Sequence, residues 1–394
     1  MKPQYASQTT AIVAAIAMLA VACTADVEET APTQRLLRME MTVCLQPEGD
    51  MGATRASGDP GTYEHPGDPG TYEHLGFPAY LYVYAVGFTA DPDDPGSVIP
   101  VMDGTEEVNR ISLSTDPSHW AHYFMSQDPP QTLNDSVYGS VQAVNFKLSN
   151  AAITKIRFYV AASPTRLHHD GHELGVKVGD DDQVMKSTNT EDDVLKLRFD
   201  VDDALRPRLQ DLYSSPYNYA PGGTYNNQYY YTIFNAQEAE GRITRIIYHV
   251  AAKVDINWNV DPARQADYRI THIEARRLKQ RDCYLFRQTE NTWTSADEAA
   301  NYSQVIMDAD VGQQWYGRQY FYTIPYGYTT PYGPTFNTHL HIRKNGDDAS
   351  AVGYNLKLTK SMAPFPIFTP WLRADLRFTG GMDYNATEKE KSMD

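Results

Sequence analysis

Apolar and polar residues alternate with a period of two through many segments of this 394-residue chain, and helical stripes are scarce. In 36–45 (LLRMEMTVCL), Leu37, Met39, Met41, Val43 and Leu45 fall on one face, which predicts a short strand with one buried side. Further strands are predicted at 78–88 (PAYLYVYAVGF), Val141–Leu148, Ile153–Ala161 and Val194–Val201, separated by loops rich in Asp, Pro and Ser. The second half repeats the plan at Ala252–Trp258, Tyr268–Ala275, Tyr320–Ile324, Phe336–Arg343, Tyr354–Lys360 and Leu372–Thr379. The last is the cleanest: Leu372, Ala374, Leu376 and Phe378 face one way, while Arg373, Asp375, Arg377 and Thr379 face the other. One stretch reads differently. Ile243, Ile246, Ile247 and Val250 fall at i, i+3, i+4 and i+7, which predicts a short helix running into the strand at Ala252. The expectation is an all-β fold with minor α content, built as sandwiches. The length favours two cores, 56–235 and 236–394, divided after the Tyr-, Asn- and Gly-rich stretch 217–231.

The N-terminal region follows another pattern. An apolar run from Ala11 to Ala22 is about a dozen residues, too short for a bilayer core that takes about 20 helical residues. Residues 1–22 therefore read as an export signal. The small residues before Cys23 resemble a bacterial lipoprotein signal, in which the cysteine is acylated and becomes the new N-terminus; the alternative is an ordinary secretory signal with an incidental cysteine. Asp26, Glu28 and Glu29 resemble the acidic surface-export tract of Bacteroidetes lipoproteins. After the first predicted strand comes QPEGDMGATRASGDPG (46–61), a small-residue loop carrying Arg55, and exposed loops of this kind are where proteases cut. A nine-residue tandem duplication (58–66 and 67–75) lengthens the same loop at little thermodynamic cost. Beyond Gly381 the tail MDYNATEKEKSMD lacks the apolar content to pack and reads as flexible.

Composition narrows the chemistry. The chain carries 50 Asp+Glu against 34 Lys+Arg, a net charge of −16, which leaves no basic footprint for nucleic acid. Besides Cys23 there are only Cys44 and Cys283, in no metal or redox spacing, and both read as small apolar side chains. No nucleophile, phosphate-loop or zinc-protease motif is present, so neither enzyme activity nor a cofactor is expected. The densest ligand cluster is His168-His169-Asp170-Gly171-His172-Glu173, read as a solvated loop rather than a metal site. His339 and His341 share one face of FNTHLHIR, opposite Phe336, Thr338, Leu340 and Ile342, and read as a solvent-facing row. Asp91, Asp93 and Asp94, like Asp180 to Asp182, lack the ligand spacing of a calcium loop. Tyrosine is in surplus, 28 residues, and serves either as core packing or as recognition surface for glycan or protein.

Together, Cys23 with its signal, LLRMEMTVCL, Arg55, the GDPGTYEH-to-PAYLYVYAV passage, FYVAAS at 158–163, RIIYHVAAKVDINW at 245–258 and the RADLRFTGG ending resemble the type V pilus (fimbrillin) superfamily of Bacteroidales. The resemblance is patchy but spans the chain. It implies two tandem transthyretin-like β-sandwich domains, exported as an outer-membrane lipoprotein precursor lipidated at Cys23. It also implies a propeptide, 23–55, removed by an Arg-specific surface protease that cuts between Arg55 and Ala56, with Arg35 and Arg38 as rival sites. Loss of the first strand would expose a groove that a strand of the next pilus subunit fills, the donor face here being Leu372, Ala374, Leu376 and Phe378. No apolar segment follows Gly381 as a separate donor arm, so either the last strand itself exchanges or the chain is a tip subunit. Implied partners are other pilus subunits, the protease, the outer membrane and a host glycan or protein. The rival expectation is a monomeric surface lipoprotein that binds glycan or host protein through its Tyr-rich loops.

Overall fold

A computed structural model describes residues 35–45, 77–124, 136–178, 181–215, 234–235, 240–266, 269–286, 301–308, 315–325, 327–329, 333–335, 337–344, 347–357, 371–378 and 389–390. Cys23, Arg55, Ala56, the nine-residue duplication and the stretch 217–231 lie outside the described residues.

The described chain is mostly strand, as the alternation predicts. The first half contributes β1 (Arg35–Leu45), β2 (Tyr80–Phe88), β3 (Ser97–Ile99), β4 (Val101–Asp103), β5 (Glu106–Val108), β6 (Arg110–Ser112), β7 (Ala121–Phe124), β8 (Ser136–Leu148) and β9 (Lys155–Ser163). Short elements follow: the ladders β10 (His168–His169) with β11 (His172–Glu173) and β12 (Lys177–Val178) with β13 (Asp181–Asp182), then β14 (Arg198–Phe199), β15 (Tyr213–Ser214) and β16 (Phe234–Asn235). A long strand, β17 (Glu240–His249), completes this set.

These strands run in the order β3-β2-β9-β15-β17-β1-β8-β4-β5, with β6 also on β2, β16 on β9 and β7 on β8. Strand β17 turns the corner, because its first part pairs with β1 while Tyr248 and His249 pair with β15. The result is two facing layers. Leu37, Met39, Met41 and Val43 of one meet Leu81, Val83, Phe158 and Val160 of the other in a single buried core, the arrangement of a β-sandwich.

The second half contributes β18 (Ala252–Val260), β19 (Ile270–Lys279), β20 (Cys283–Tyr284), β21 (Asn301–Asp308), β22 (Tyr316–Thr323), β23 (Gly327–Thr329), β24 (Gly333–Thr335), β25 (Asn337–Lys344), β26 (Asp347–Lys357), β27 (Trp371–Phe378) and β28 (Lys389–Glu390). One sheet runs β22-β18-β27 and another β21-β19-β25-β26-β28. Val254, Ile256 and Trp258 of the first pack with Ile273, Leu340 and Ile342 of the second. Trp258 lies across Gly317, its register partner on β22, where a Cβ would come within 2.2 Å of the indole.

A third buried cluster spans both halves. Phe286 meets Tyr84 and Tyr159 edge to face at centroid distances of 5.9 and 5.5 Å, and β14 pairs with β20 in the same region. Among the described residues, Tyr82, Tyr84, Tyr159 and Tyr213 are buried and serve as packing.

Three expectations need correction. The helix expected at Ile243–Val250 is strand β17. Its inward residues are Ile243, Arg245, Ile247 and His249, all buried, so the alternation includes a buried arginine and a histidine that an apolar count passes over. The isoleucines are β-branched and stiff at χ1, which favours the pleated form. The strand expected at Val194–Val201 is instead a helical turn, Glu191–Leu195, followed by the two-residue β14. Here Asp193 Oδ2 accepts from the Thr190 backbone N–H at 2.8 Å, and three acidic residues fill the first turn, where the helix dipole favours them. Finally, Lys389–Glu390 in the polar tail add to β26 beside Tyr354 and Asn355, a backbone pairing that needs no apolar side chains.

Candidate functional site

The arrangement that stands out is the position of β1. Its eleven residues pair antiparallel with β8 over the whole length, from Arg35 opposite Leu148 to Leu45 opposite Tyr138. On its other side, Arg38–Leu45 pair parallel with β17, from Glu240 to Ile247. The first described segment of the chain is therefore an internal strand, held by neighbours that follow it by roughly 100 and 200 residues.

Its side chains explain why it sits there. Leu37, Met39, Met41, Val43 and Leu45 are each 0 % exposed and enter the first core. Fully burying five such side chains is worth on the order of 10 kcal/mol gross, comparable with the whole net stability of a domain, ~5–15 kcal/mol. On the outward face, Glu40 accepts from Arg242 Nε of β17 at 2.7 Å. Cys44 is buried and its thiol is pushed up to about 12 by burial, so it acts as a small apolar group, as does Cys283 for the same cause. Behind β1, in register with Val43, Arg245 lies over the Phe158 ring at 5.7 Å, and burial lowers its guanidinium to about 9. Without β1, β8 and β17 would each lose a hydrogen-bonding partner, and the slot between them would be lined by Val144, Phe146, Ile243 and Ile247.

The donor residues expected from the resemblance occupy a related position in the other half. Strand β27 lies parallel to β18, with Leu372, Ala374, Leu376 and Phe378 in register with the buried Val254, Ile256, Trp258 and Val260. Among the described residues β27 has a neighbour on one side only.

The His168–Glu173 cluster forms the β10–β11 ladder, and its side chains already have polar partners. His169 Nε2 lies 3.0 Å from Asp282 Oδ1, His168 Nδ1 lies 3.4 Å from Asp202, and Glu173 lies 3.0 Å from Arg110 Nε. Asp282 also receives Arg198 at 3.1 Å, and these contacts hold its carboxyl below the usual range, the His169 hydrogen bond being the largest cause. Asp91 and Asp94 accept backbone hydrogen bonds within their own turn, from Asp93 at 2.9 Å and from Thr89 at 2.6 Å. His341 lies on the polar side of β25, while Leu340 and Ile342 enter the core between the two second-half sheets, as the alternation of FNTHLHIR implies. What the sequence did not disclose is that β19 brings His272 and Glu274 beside it: the ligand atoms of all three lie within 4.8 Å of one another. Burial, aided by Arg276 and Arg343, lowers the His341 pKa from its ordinary value.

No protein-family model matches the chain, and no curated protein sequence does. Solved structures to which it is similar include a fimbrial assembly protein from Parabacteroides distasonis (TM-score 0.39, 10 % identity, covering 87 % of this chain and 91 % of that one). Another is the tip fimbrial protein Mfa3 from Porphyromonas gingivalis (TM-score 0.35, 12 % identity, 82 % and 81 %). A third is the fimbrial anchor protein Mfa2 from Porphyromonas gingivalis (TM-score 0.32, 11 % identity, 77 % of each chain).

Proposed function

We propose that this chain is a non-enzymatic structural subunit, stalk or tip, of a cell-surface fimbrium, and that β1 is a removable plug. In this reading the precursor is exported with a lipid on Cys23 and reaches the outer membrane. An Arg-specific surface protease then cuts between Arg55 and Ala56, and the chain from Ala56 onward is the mature subunit. Once cut, β1 belongs to a separate peptide and can leave, opening the slot between β8 and β17. A strand of another subunit enters it, with backbone hydrogen bonds supplying strength and alternate apolar side chains supplying register. The donor is β27, through Leu372, Ala374, Leu376 and Phe378. Keeping the slot filled until cleavage protects two open strand edges from premature pairing, and head-to-tail filling yields a filament rather than a closed dimer. Adhesion to a host glycan or protein is the outcome such a filament serves.

The observation that carries the reading is the pairing of β1 along both edges, over all eleven residues with β8 and over Arg38–Leu45 with β17, and the complete burial of its apolar face, ten residues before Arg55 in sequence. The test is N-terminal sequencing and intact mass of the protein from native cells, beside an Arg55→Ala variant. The expected result is Ala56 as the mature N-terminus and loss of detergent-resistant polymer ladders in the variant. A lipidated Cys23 terminus on every mature molecule would overturn the proposal in favour of an anchor subunit or a monomeric surface lipoprotein.

A further inference from the structure

Beyond assembly, the geometry points to a divalent transition-metal site on the outer face of the second half, formed by His272, Glu274 and His341. His272 and Glu274 are two apart on β19 and share a face, and Glu274 is directly opposite His341 on β25. This face is the reverse of the one that buries Ile273, Ala275, Leu340 and Ile342, so three potential ligands stand together on a rigid, well-packed sheet. Two further observations single the cluster out. His272 Nε2 and His341 Nδ1 are both buried without a hydrogen-bond partner, a state that costs free energy unless something binds there. Among the described residues this is also the one group of three or more His, Cys, Asp or Glu side chains that converges in this way.

The chemistry follows from the donor set. Two imidazoles and a carboxylate suit zinc and its neighbours in the first transition row better than calcium or magnesium, which prefer all-oxygen shells. His272 Nε2 lies 3.9 Å from Glu274 Oε2, and its Nδ1 lies 3.8 Å from Asp308 Oδ2 on β21. The first nitrogen therefore faces the site, while the second faces a carboxylate that can orient the ring once a metal is bound. Ligand atoms around tetrahedral zinc sit about 3.4 Å apart, given bonds of about 2.0–2.1 Å, so closure takes side-chain adjustment and no movement of the strands. Arg276 Nε lies 2.7 Å from Glu274 Oε2, so the carboxylate is shared between this guanidinium and the site. Three protein ligands leave one position for water or a donor from another molecule. Bound metal would pin β19 to β25.

The test is calorimetric titration of the untagged, chelator-treated full chain with Zn²⁺, and Co²⁺ substitution read in the visible spectrum. The expected result is one saturable site per chain, weakened at least about 10-fold in both His341→Ala and Glu274→Gln, with a cobalt band that both variants lose. A His168→Ala/His172→Ala control should bind as the parent does. Metal-free melting curves check that the variants fold, and the cobalt band of the unaltered protein stands independently of them. Absence of saturable 1:1 binding, or binding that survives in folded His341→Ala and Glu274→Gln, would overturn the proposal.

Discussion

Strands β1 and β27 carry the same alternation of apolar and polar residues, and each lies parallel to one of two consecutive strands, β17 and β18. Their surroundings differ. β1 has a partner along both edges and closes a sandwich layer, whereas β27 has one neighbour among the described residues and ends a sheet. Alternation therefore tells that a strand buries one face and is silent on how many edges it shares. A strand held on both sides leaves a slot when it departs, while a strand held on one side has an edge to offer.

The largest effect that would break this contrast comes from placing a charge on each strand. Met41→Asp puts a carboxylate at a fully buried central position and should cost more than about 4 kcal/mol, leaving no cooperative melting transition in circular dichroism. Leu376→Asp on β27 should lower the melting temperature less and act mainly on polymer formation. Equal loss of folding in the two variants would erase the distinction between plug and donor.

A smaller effect tests the strand on which β27 rests. Gly317→Val must displace the Trp258 ring from its place across β22, so melting should fall by the equivalent of about 1–3 kcal/mol. The smallest concerns the junction of the halves. The Asp282 carboxyl is held below its unfolded value by His169 and Arg198, so its contribution is present above the ordinary aspartate value of 3.8 and fades as pH falls through its lower folded value. The group is about half exposed, so solvent limits that contribution to under about 1 kcal/mol. Asp282→Asn should lower neutral-pH stability slightly and flatten its acid dependence in denaturant titrations; an unchanged acid profile would remove the pairing as a contributor.

Much of the fold is legible in the sequence because most strands present uniformly apolar inward faces, as in β1, β2, β9 and β18. β17 escaped because its inward row mixes Ile243 and Ile247 with Arg245 and His249, and the remaining isoleucines imitate a helical stripe. The place of β1 is half legible. Its apolar face was evident, yet its pairing with β8 and β17 depends on long-range register that no local window contains. The His272–Glu274–His341 cluster escaped for the same reason, since His341 shares local pattern with His339 and meets β19 only through sheet pairing.

The parallel pairing of β1 with β17 also sets an order of events. A chain emerging N-terminus first presents β1 at the start, but the strand that flanks it on its parallel side is about 200 residues further on, and contacts of such separation form slowly. The first sandwich therefore cannot close until well over half of the polypeptide is available. Until then the segment has at most its β8 partner, and its parallel edge stays open.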